Sequence, residues 1–377
     1  MKDLNRRKLL LLIDNLNSGG SQNQITLLAC GLKKRNFDVT VFYYFEQNFF
    51  KHRLDNDSVH TICIPKKGKI GLNVINELVK LNSLENFYCI ISYLSTPNVY
   101  SIALKLVGLK KSKHIISYRS MTDFNQMSIF DIWQKKIVNY FADIIVYNSY
   151  HEKENWVRKF PSLSSKSLTI YNSVENSFEK DIIAINRKVL VIGSVSKYKN
   201  GICIIEAIGK FNSRNENKLE LIWVGRKDKN IKGWGDYQMK MEELIERNQY
   251  VKKYWFWQEP VDDLTKYFEM ADVLVLASKI EGLPNVVCES MKVGLPIILS
   301  NVCDHPRLVD DGTCGFLFDP ESSEELYLKL SEFYNLPIEK VKDMSKCCKE
   351  YAEENFSLDV FLNQYESIIY NSELCVG

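Results

Sequence analysis

Short apolar runs punctuate the chain, and the stretches between them repeat apolar residues every three or four positions. Residues 8–13 (KLLLLI), 39–45 (VTVFYYF), 62–65, 89–94 (CIISYL), 115–118, 142–147 (ADIIVY) and 168–171 form a first series. A second begins after Asn186: residues 189–192, 219–224, 254–257, 271–277 (ADVLVLA), 296–299 and 315–318. Most of these runs are continuous rather than alternating, the pattern of parallel strands covered on both faces. Helical periodicity marks residues 25–32, 72–84, 99–107, 130–141, 204–211 and 261–270. A further helix starts near Pro284, and residues 358–370 carry a terminal helical stripe.

Strand, loop and helix succeed one another in the order of open doubly wound sheets. The series change near residues 178–188, which predicts an α/β chain of two Rossmann-like domains facing across a cleft. A length of 377 residues suits two domains, and 45% hydrophobic with 25% charged residues is an ordinary globular composition. The apolar run at residues 9–13 is closed by Asp14, too short to cross a bilayer. The ten cysteines show no C-x-x-C pair, and Cys30, Cys89 and Cys288 sit within apolar patterns as small core residues. That usage points to a reducing cytoplasm.

The net charge of +2 conceals an asymmetry. Residues 1–185 carry 25 Lys and Arg against 16 Asp and Glu, a net of +9; residues 186–377 carry 24 against 31, a net of −7. The basic half is suited to an anionic membrane surface, or its lysines, such as Lys111 and Lys113, simply solvate loops. No nucleic-acid-binding module is recognisable.

The chemistry concentrates after the run at 271–277. Glu281-Gly282-Leu283-Pro284 forms a loop, and a helix follows with Pro284 in its first turn and Val286, Val287 and Met291 as its apolar positions. The unpaired amides of Asn285 and its neighbours make an anion site. Glu289 follows eight residues after Glu281, read here as about two turns into the helix. Carboxylates accept hydrogen bonds from hydroxyls, so the segment fits a ligand with a phosphate flanked by hydroxyl groups, the layout of a nucleotide sugar. Elsewhere, Gly19 and Gly20 close a loop after the first strand but lack G-x-G-x-x-G, which disfavours a dinucleotide-dependent dehydrogenase. Asp55-Asn56-Asp57 spells D-x-D within a polar loop and reads as a surface turn. Arg119, Ser120 and Asp123 lie just past a strand end, where open α/β sheets meet ligands. His114 precedes that strand and reads as a surface histidine.

Together these segments resemble the retaining, nucleotide-sugar-dependent glycosyltransferases of family 4, which have the GT-B fold. The resemblance runs along nearly the whole chain. It rests on Gly19-Gly20-Ser21-Gln22, Asn148-Ser149, Ile170 to Val174, Lys199-Asn200, Glu281 with Glu289 as E-x7-E, and Val309-Asp310-Asp311-Gly312 with Gly315-Phe316. It implies an acceptor-binding domain over residues 1–180, a nucleotide-sugar-binding domain over 181–355, and a terminal segment 356–377 packing back on the first. Glu281 would hold the hexose hydroxyls, Glu289 the ribose hydroxyls, and backbone N–H groups from Leu283 onward the diphosphate. Lys199 would neutralise the leaving diphosphate, with Gly19 and Gly20 approaching it from the first domain.

The family's usual Arg after the second-domain glycine is Ser194 here, and Lys197 or Arg226 is the candidate replacement. Arg119 stands where a catalytic His is common, and Arg307 where an acid is common. The reaction implied is front-face transfer of a hexose or N-acetylhexosamine from a UDP-sugar to a glycan or polyprenyl-diphosphate-linked acceptor, as in O-antigen or other polysaccharide assembly. It would use neither metal nor cofactor, on the cytoplasmic face of the membrane. A nucleotide-sugar epimerase of the same fold, or a non-catalytic sugar-binding subunit, is the alternative.

Overall fold

The computed structural model describes residues 7–108, 111–119, 121–122, 127–175, 178–227, 235–261, 263–309 and 312–370. Ser120, Asp123, Asp310 and Asp311 therefore lie outside the described residues. The chain divides into two compact units: residues 1–173 with 358–377, and residues 174–357.

Unit 1 holds a parallel seven-stranded sheet. Its strands are β1 (Lys8–Leu12), β2 (Asp38–Tyr43), β3 (His60–Cys63), β4 (Cys89–Tyr93), β5 (Lys113–Tyr118), β6 (Ile144–Tyr147) and β7 (Ser167–Thr169). The order is β3-β2-β1-β4-β5-β6-β7. The pleat sends Leu9 and Leu11 to one face, where Ile25, Leu28, Phe361 and Tyr365 cover them, and Leu10 and Leu12 to the other, against Val74, Leu78, Tyr100 and Leu104. Both faces are dry, which is why the strand reads as an unbroken run of leucines.

The C-terminal helix Leu358–Tyr370 belongs to unit 1. Besides Phe361, Leu362 and Tyr365 in the core, it is held at its rim by Arg35, whose guanidinium meets Asp359 at 2.8 Å and Glu366 at 3.3 Å. Lys113 Nζ donates to Ile368 O at 2.6 Å.

Unit 2 holds a parallel six-stranded sheet, β8 (Lys188–Ile192), β9 (Glu220–Val224), β10 (Trp255–Gln258), β11 (Val273–Leu276), β12 (Ile297–Ser300) and β13 (Gly315–Phe318), in the order β10-β9-β8-β11-β12-β13. Val189, Val191, Leu221, Trp223, Val273 and Val275 share a core with Ile204, Ile208 and Phe211 of the helix Gly201–Arg214.

Two local expectations are corrected, and the cysteines hold an addition. The D-x-D segment is only partly a turn: Asp55 and Asn56 end the short helix Lys51–Asn56 and Asp57 begins the turn after it, with Asp55 paired to Lys51 at 2.7 Å and Asp57 to Lys34 at 2.9 Å. His114 is buried rather than on the surface, bonded through Nδ1 to Ser101 Oγ at 2.9 Å, and burial pushes its pKa down to about 4. Cys30, Cys89 and Cys288 are buried thiols, but Cys314 and Cys347, 33 residues apart, form a disulfide that no spacing in the sequence announces.

Candidate active site

The order of the second sheet creates the site. From β8 the chain proceeds outward through β9 and β10, then returns to lay β11 on the other side of β8. The loops leaving β8 and β11 therefore diverge, and a crevice opens at their carboxyl ends, the usual ligand position in an open α/β sheet. Lys199 comes from the first loop and Glu281 from the second. Lys199 Nζ donates directly to Glu281 Oε2, and each side chain keeps 22% of its surface exposed.

The β8 loop is shaped by two special positions. Gly193 has φ 147°, a backbone unfavourable to other residues, and a Cβ there would lie 3.3 Å from Lys199 Cε. Asn200 sits in the left-handed region (φ 53°) at the start of the helix Gly201–Arg214, tied by Nδ2 to Pro320 O at 2.7 Å. Between them Lys199 N bonds Ser196 O at 3.1 Å, closing the turn that aims the lysine.

The neighbouring β9 loop is joined to it: Val195 N donates to Arg226 O at 3.0 Å. Gly225 packs so closely that a Cβ would stand 1.9 Å from Gly193 O, so the two strand ends meet backbone to backbone. Ser194 is half-buried and Arg226 exposed beside this junction. Lys197 is exposed, its Nζ 5.1 Å from the Tyr198 ring centroid.

The β11 loop is anchored by Leu283, buried in the core. Pro284 is the N-cap of the helix Asn285–Val293, one position earlier than a first-turn proline, and its carbonyl accepts from Val287 N at 3.0 Å. Pro284 itself supplies no side-chain cap to this end. Glu289 is the fifth residue of the helix, one turn from Asn285 rather than two from the loop, and so shares its face. Glu289 is half-buried, and burial raises its pKa above the ordinary carboxylate value.

Behind the pair lies a polar support that sequence reasoning did not single out. Ser278 Oγ donates to Glu281 Oε2 at 3.2 Å, and Ser278 O accepts from Ser300 Oγ at 2.6 Å. Buried His305 bonds Ser300 O through Nδ1 at 2.8 Å, leaving Nε2 without a partner among the described residues. Serines at the ends of strands carry no distinguishing signal in a sequence.

Unit 1 repeats the topology: its order reverses between β1 and β4. Gly19 caps the helix Gly20–Lys34 there, and a Cβ on Gly19 would meet Gln22 Oε1 at 2.4 Å. Arg119 follows β5 but does not present its guanidinium to solvent; it is 8% exposed. Nη1 donates to Ile170 O (3.2 Å) and Asn172 Oδ1 (2.9 Å), and Nη2 to Tyr93 Oη (2.7 Å) and Tyr365 Oη. All four Nη hydrogens are thus committed inside unit 1. Lys199 and Glu281 come together; Arg119 is not among them.

Among the described residues no group of three His, Cys, Asp or Glu is arranged to hold a metal ion. A surface depression of unit 2 walled by Phe178, Glu179, Lys292, Lys349 and Glu353 has its charges paired internally, Lys349 with Glu179 and Lys292 with Glu353.

Two parallel Rossmann-like sheets, one in each unit, define a GT-B architecture. The comparisons agree. Residues 174–354 match the model of the glycosyl transferases group 1, and residues 18–178 that of glycosyltransferase family 4. The chain belongs to the family 4 glycosyltransferases, a retaining family with the GT-B fold.

One relative is the Campylobacter jejuni GalNAc-alpha-(1->4)-GalNAc-alpha-(1->3)-diNAcBac-PP-undecaprenol alpha-1,4-N-acetyl-D-galactosaminyltransferase, 24% identical over 91% of this chain and 94% of that protein. Another is an uncharacterized 41.2 kDa protein in the cps region of Klebsiella pneumoniae, 26% identical over 71% of this chain and 73% of that one. Among solved structures, Anabaena Alr3699/HepE in complex with UDP superposes with a TM-score of 0.82 at 17% identity, covering 96% of this chain and 99% of that one. The same protein in complex with UDP-glucose gives 0.78 at 18% identity, covering 96% and 99%.

Proposed function

We propose that this glycosyltransferase transfers a hexose or N-acetylhexosamine from a UDP-sugar, with retention, to a glycan or lipid-linked acceptor in surface-polysaccharide assembly. The observation that carries the reading is the Lys199–Glu281 pair at the mouth of the β8–β11 crevice, beside the helix start at Asn285 with Glu289 one turn along. The spacing suits a donor laid across the helix start. Ribose hydroxyls donate to Glu289, the diphosphate meets the helix amides and Lys199, and the hexose hydroxyls donate to Glu281. Binding then exchanges Lys199's partner from carboxylate to diphosphate, which puts its charge where negative charge grows as the sugar leaves. The acceptor hydroxyl attacks from the side of the departing phosphate, whose oxygen takes its proton. UDP as the nucleotide is supported by the UDP and UDP-glucose complexes of the Anabaena structural relative. A lipid-linked acceptor is supported by the Campylobacter relative's name and by the basic first half of the chain.

A thermal-shift screen of nucleotide sugars tests the donor. A ligand present at 100 times its Kd adds about 2.7 kcal/mol of stability, so the true donor should raise Tm clearly, with UDP-sugars ahead of GDP-mannose. Glu289→Ala should remove most of that shift. Because burial already raises the Glu289 pKa, its carboxylate is protonated sooner than usual as pH falls and loses an acceptor oxygen, so donor affinity should weaken towards acid pH in the wild type but not in Glu289→Gln. A Tm unmoved by every nucleotide sugar would refute the assignment.

A further inference from the structure

The helix Ile129–Phe141 of unit 1 turns its apolar side outward. Ile129, Phe130, Trp133, Ile137, Tyr140 and Phe141 are 76%, 74%, 55%, 51%, 69% and 38% exposed. Their spacing of 1, 4, 8, 11 and 12 residues from Ile129 places all six within about 120° of the helix circumference. The opposite side, with Val138 and Asn139, is the one that packs on the sheet, and Asn139 Oδ1 accepts from Tyr118 Oη at 2.7 Å. So continuous an aromatic stripe in water marks an interaction surface.

Its border is basic. Exposed Lys136 holds its Nζ 4.6 Å from the Trp133 ring centroid and 5.5 Å from that of Phe160, and exposed Arg158 and Lys159 immediately precede Phe160. Lys166 Nζ bonds Tyr140 O at 2.6 Å at the far end of the helix. Of the described acids near it, Asp143 is paired with Lys105 at 2.5 Å, and Asp131 accepts from Ser128 Oγ.

We propose that this face docks the protein on an anionic phospholipid bilayer, the helix lying in the interfacial plane with its aromatic stripe among the acyl chains and its lysines at the headgroups. The combination is that of an interfacial amphipathic helix, and the net charge of +9 over residues 1–185 supplies the long-range attraction. The choice of a bilayer rests on the lipid-linked acceptor proposed above and gives that acceptor a surface from which to be reached.

Flotation of the full chain with vesicles of 40% phosphatidylglycerol in phosphatidylcholine should recover it at low salt, and pure phosphatidylcholine vesicles should not. Phe130→Ser with Trp133→Ser should weaken binding by about tenfold or more, and Lys136→Glu by roughly fivefold or more. Trp133 emission should shift to the blue on binding, and Trp133→Phe should bind yet lose most of that shift. Unchanged Tm and unchanged donor hydrolysis without vesicles would show that the variants are folded; donor hydrolysis also reports on the transfer reaction separately. Failure of the wild type to float, or equal binding by the double variant, would overturn the proposal. So would a concentration-dependent dimer, seen by light scattering and abolished in the double variant, since the face would then join two copies of the chain.

Discussion

Glu281→Ala is expected to lower the rate of sugar transfer by about 10²–10³-fold and to leave UDP binding within a few-fold of wild type. The carboxylate is placed to hold hydroxyls of the transferred sugar, and its loss removes contacts that orient the anomeric carbon against the acceptor. It should not remove the contacts made by the helix amides or by Glu289. The variant also releases Lys199 from its carboxylate partner, so UDP itself gains a free ammonium. Lys199→Ala should behave differently: it leaves Glu281 unpaired beside an incoming diphosphate, so donor affinity and transfer rate should fall together. Because the two side chains touch, the double variant should cost much less than the sum of the singles. Ser278→Ala removes only a 3.2 Å hydrogen bond to Glu281 Oε2 and should cost about tenfold or less. Steady-state kinetics on a UDP-sugar, with UDP affinity by calorimetry, reads all four proteins. Transfer at wild-type rate by Glu281→Ala would remove Glu281 from the mechanism.

The strands were legible because each is buried on two faces and therefore spelled in unbroken apolar residues; KLLLLI and VLVL admit little else. Helices were legible where one face is strongly apolar, as in Leu72–Glu85 and Gly201–Arg214. They were missed where burial uses weak hydrophobes. Ile338–Phe356 packs through Val341, Met344, Ser345, Cys348 and Ala352, and Ser and Cys do not stand out in a hydropathy pattern. Tyr150–Lys159 buries only Glu152 and Trp156, and its one local sign is the N-cap Ser149, whose Oγ accepts from Glu152 N. At the site, the loop chemistry of Glu281 to Glu289 could be read because Gly, Pro and Glu are informative at a strand-to-helix turn. The partnership of Lys199 with Glu281, 82 residues apart, could not, since only the strand order brings their loops together. The same is true of Arg119, whose neighbours Tyr93, Asn172 and Tyr365 come from three distant parts of the chain.

Arg119→Met is expected to destabilise unit 1 by about 2–4 kcal/mol, a loss that should appear as a Tm lowered by roughly 5–12 °C for a unit of this size. The guanidinium stacks 4.4 Å from the Tyr93 ring centroid and ties β4, the segment at Ile170 and Asn172, and the helix Leu358–Tyr370 to the end of β5. No carboxylate is among these hydrogen-bond partners, so the buried charge is held by neutral oxygens and ring faces. Removing it recovers the desolvation cost of the cation but takes the Arg119 hydrogen bonds away from Ile170 O and Asn172 Oδ1 and leaves a cavity. Tyr93 and Tyr365 still share their own 2.8 Å bond, so the damage should spread chiefly through the terminal helix. Hydrogen exchange should accordingly show faster exchange in Leu358–Tyr370 and in β4, with the helix Asn285–Val293 of unit 2 unchanged. This makes Arg119 a positioning residue whose effect on transfer follows from loosened structure. The opposite result, a lower kcat with Tm and exchange unaltered, would mean that the guanidinium contacts the reacting groups, and would return it to the catalytic role suggested by its place after β5.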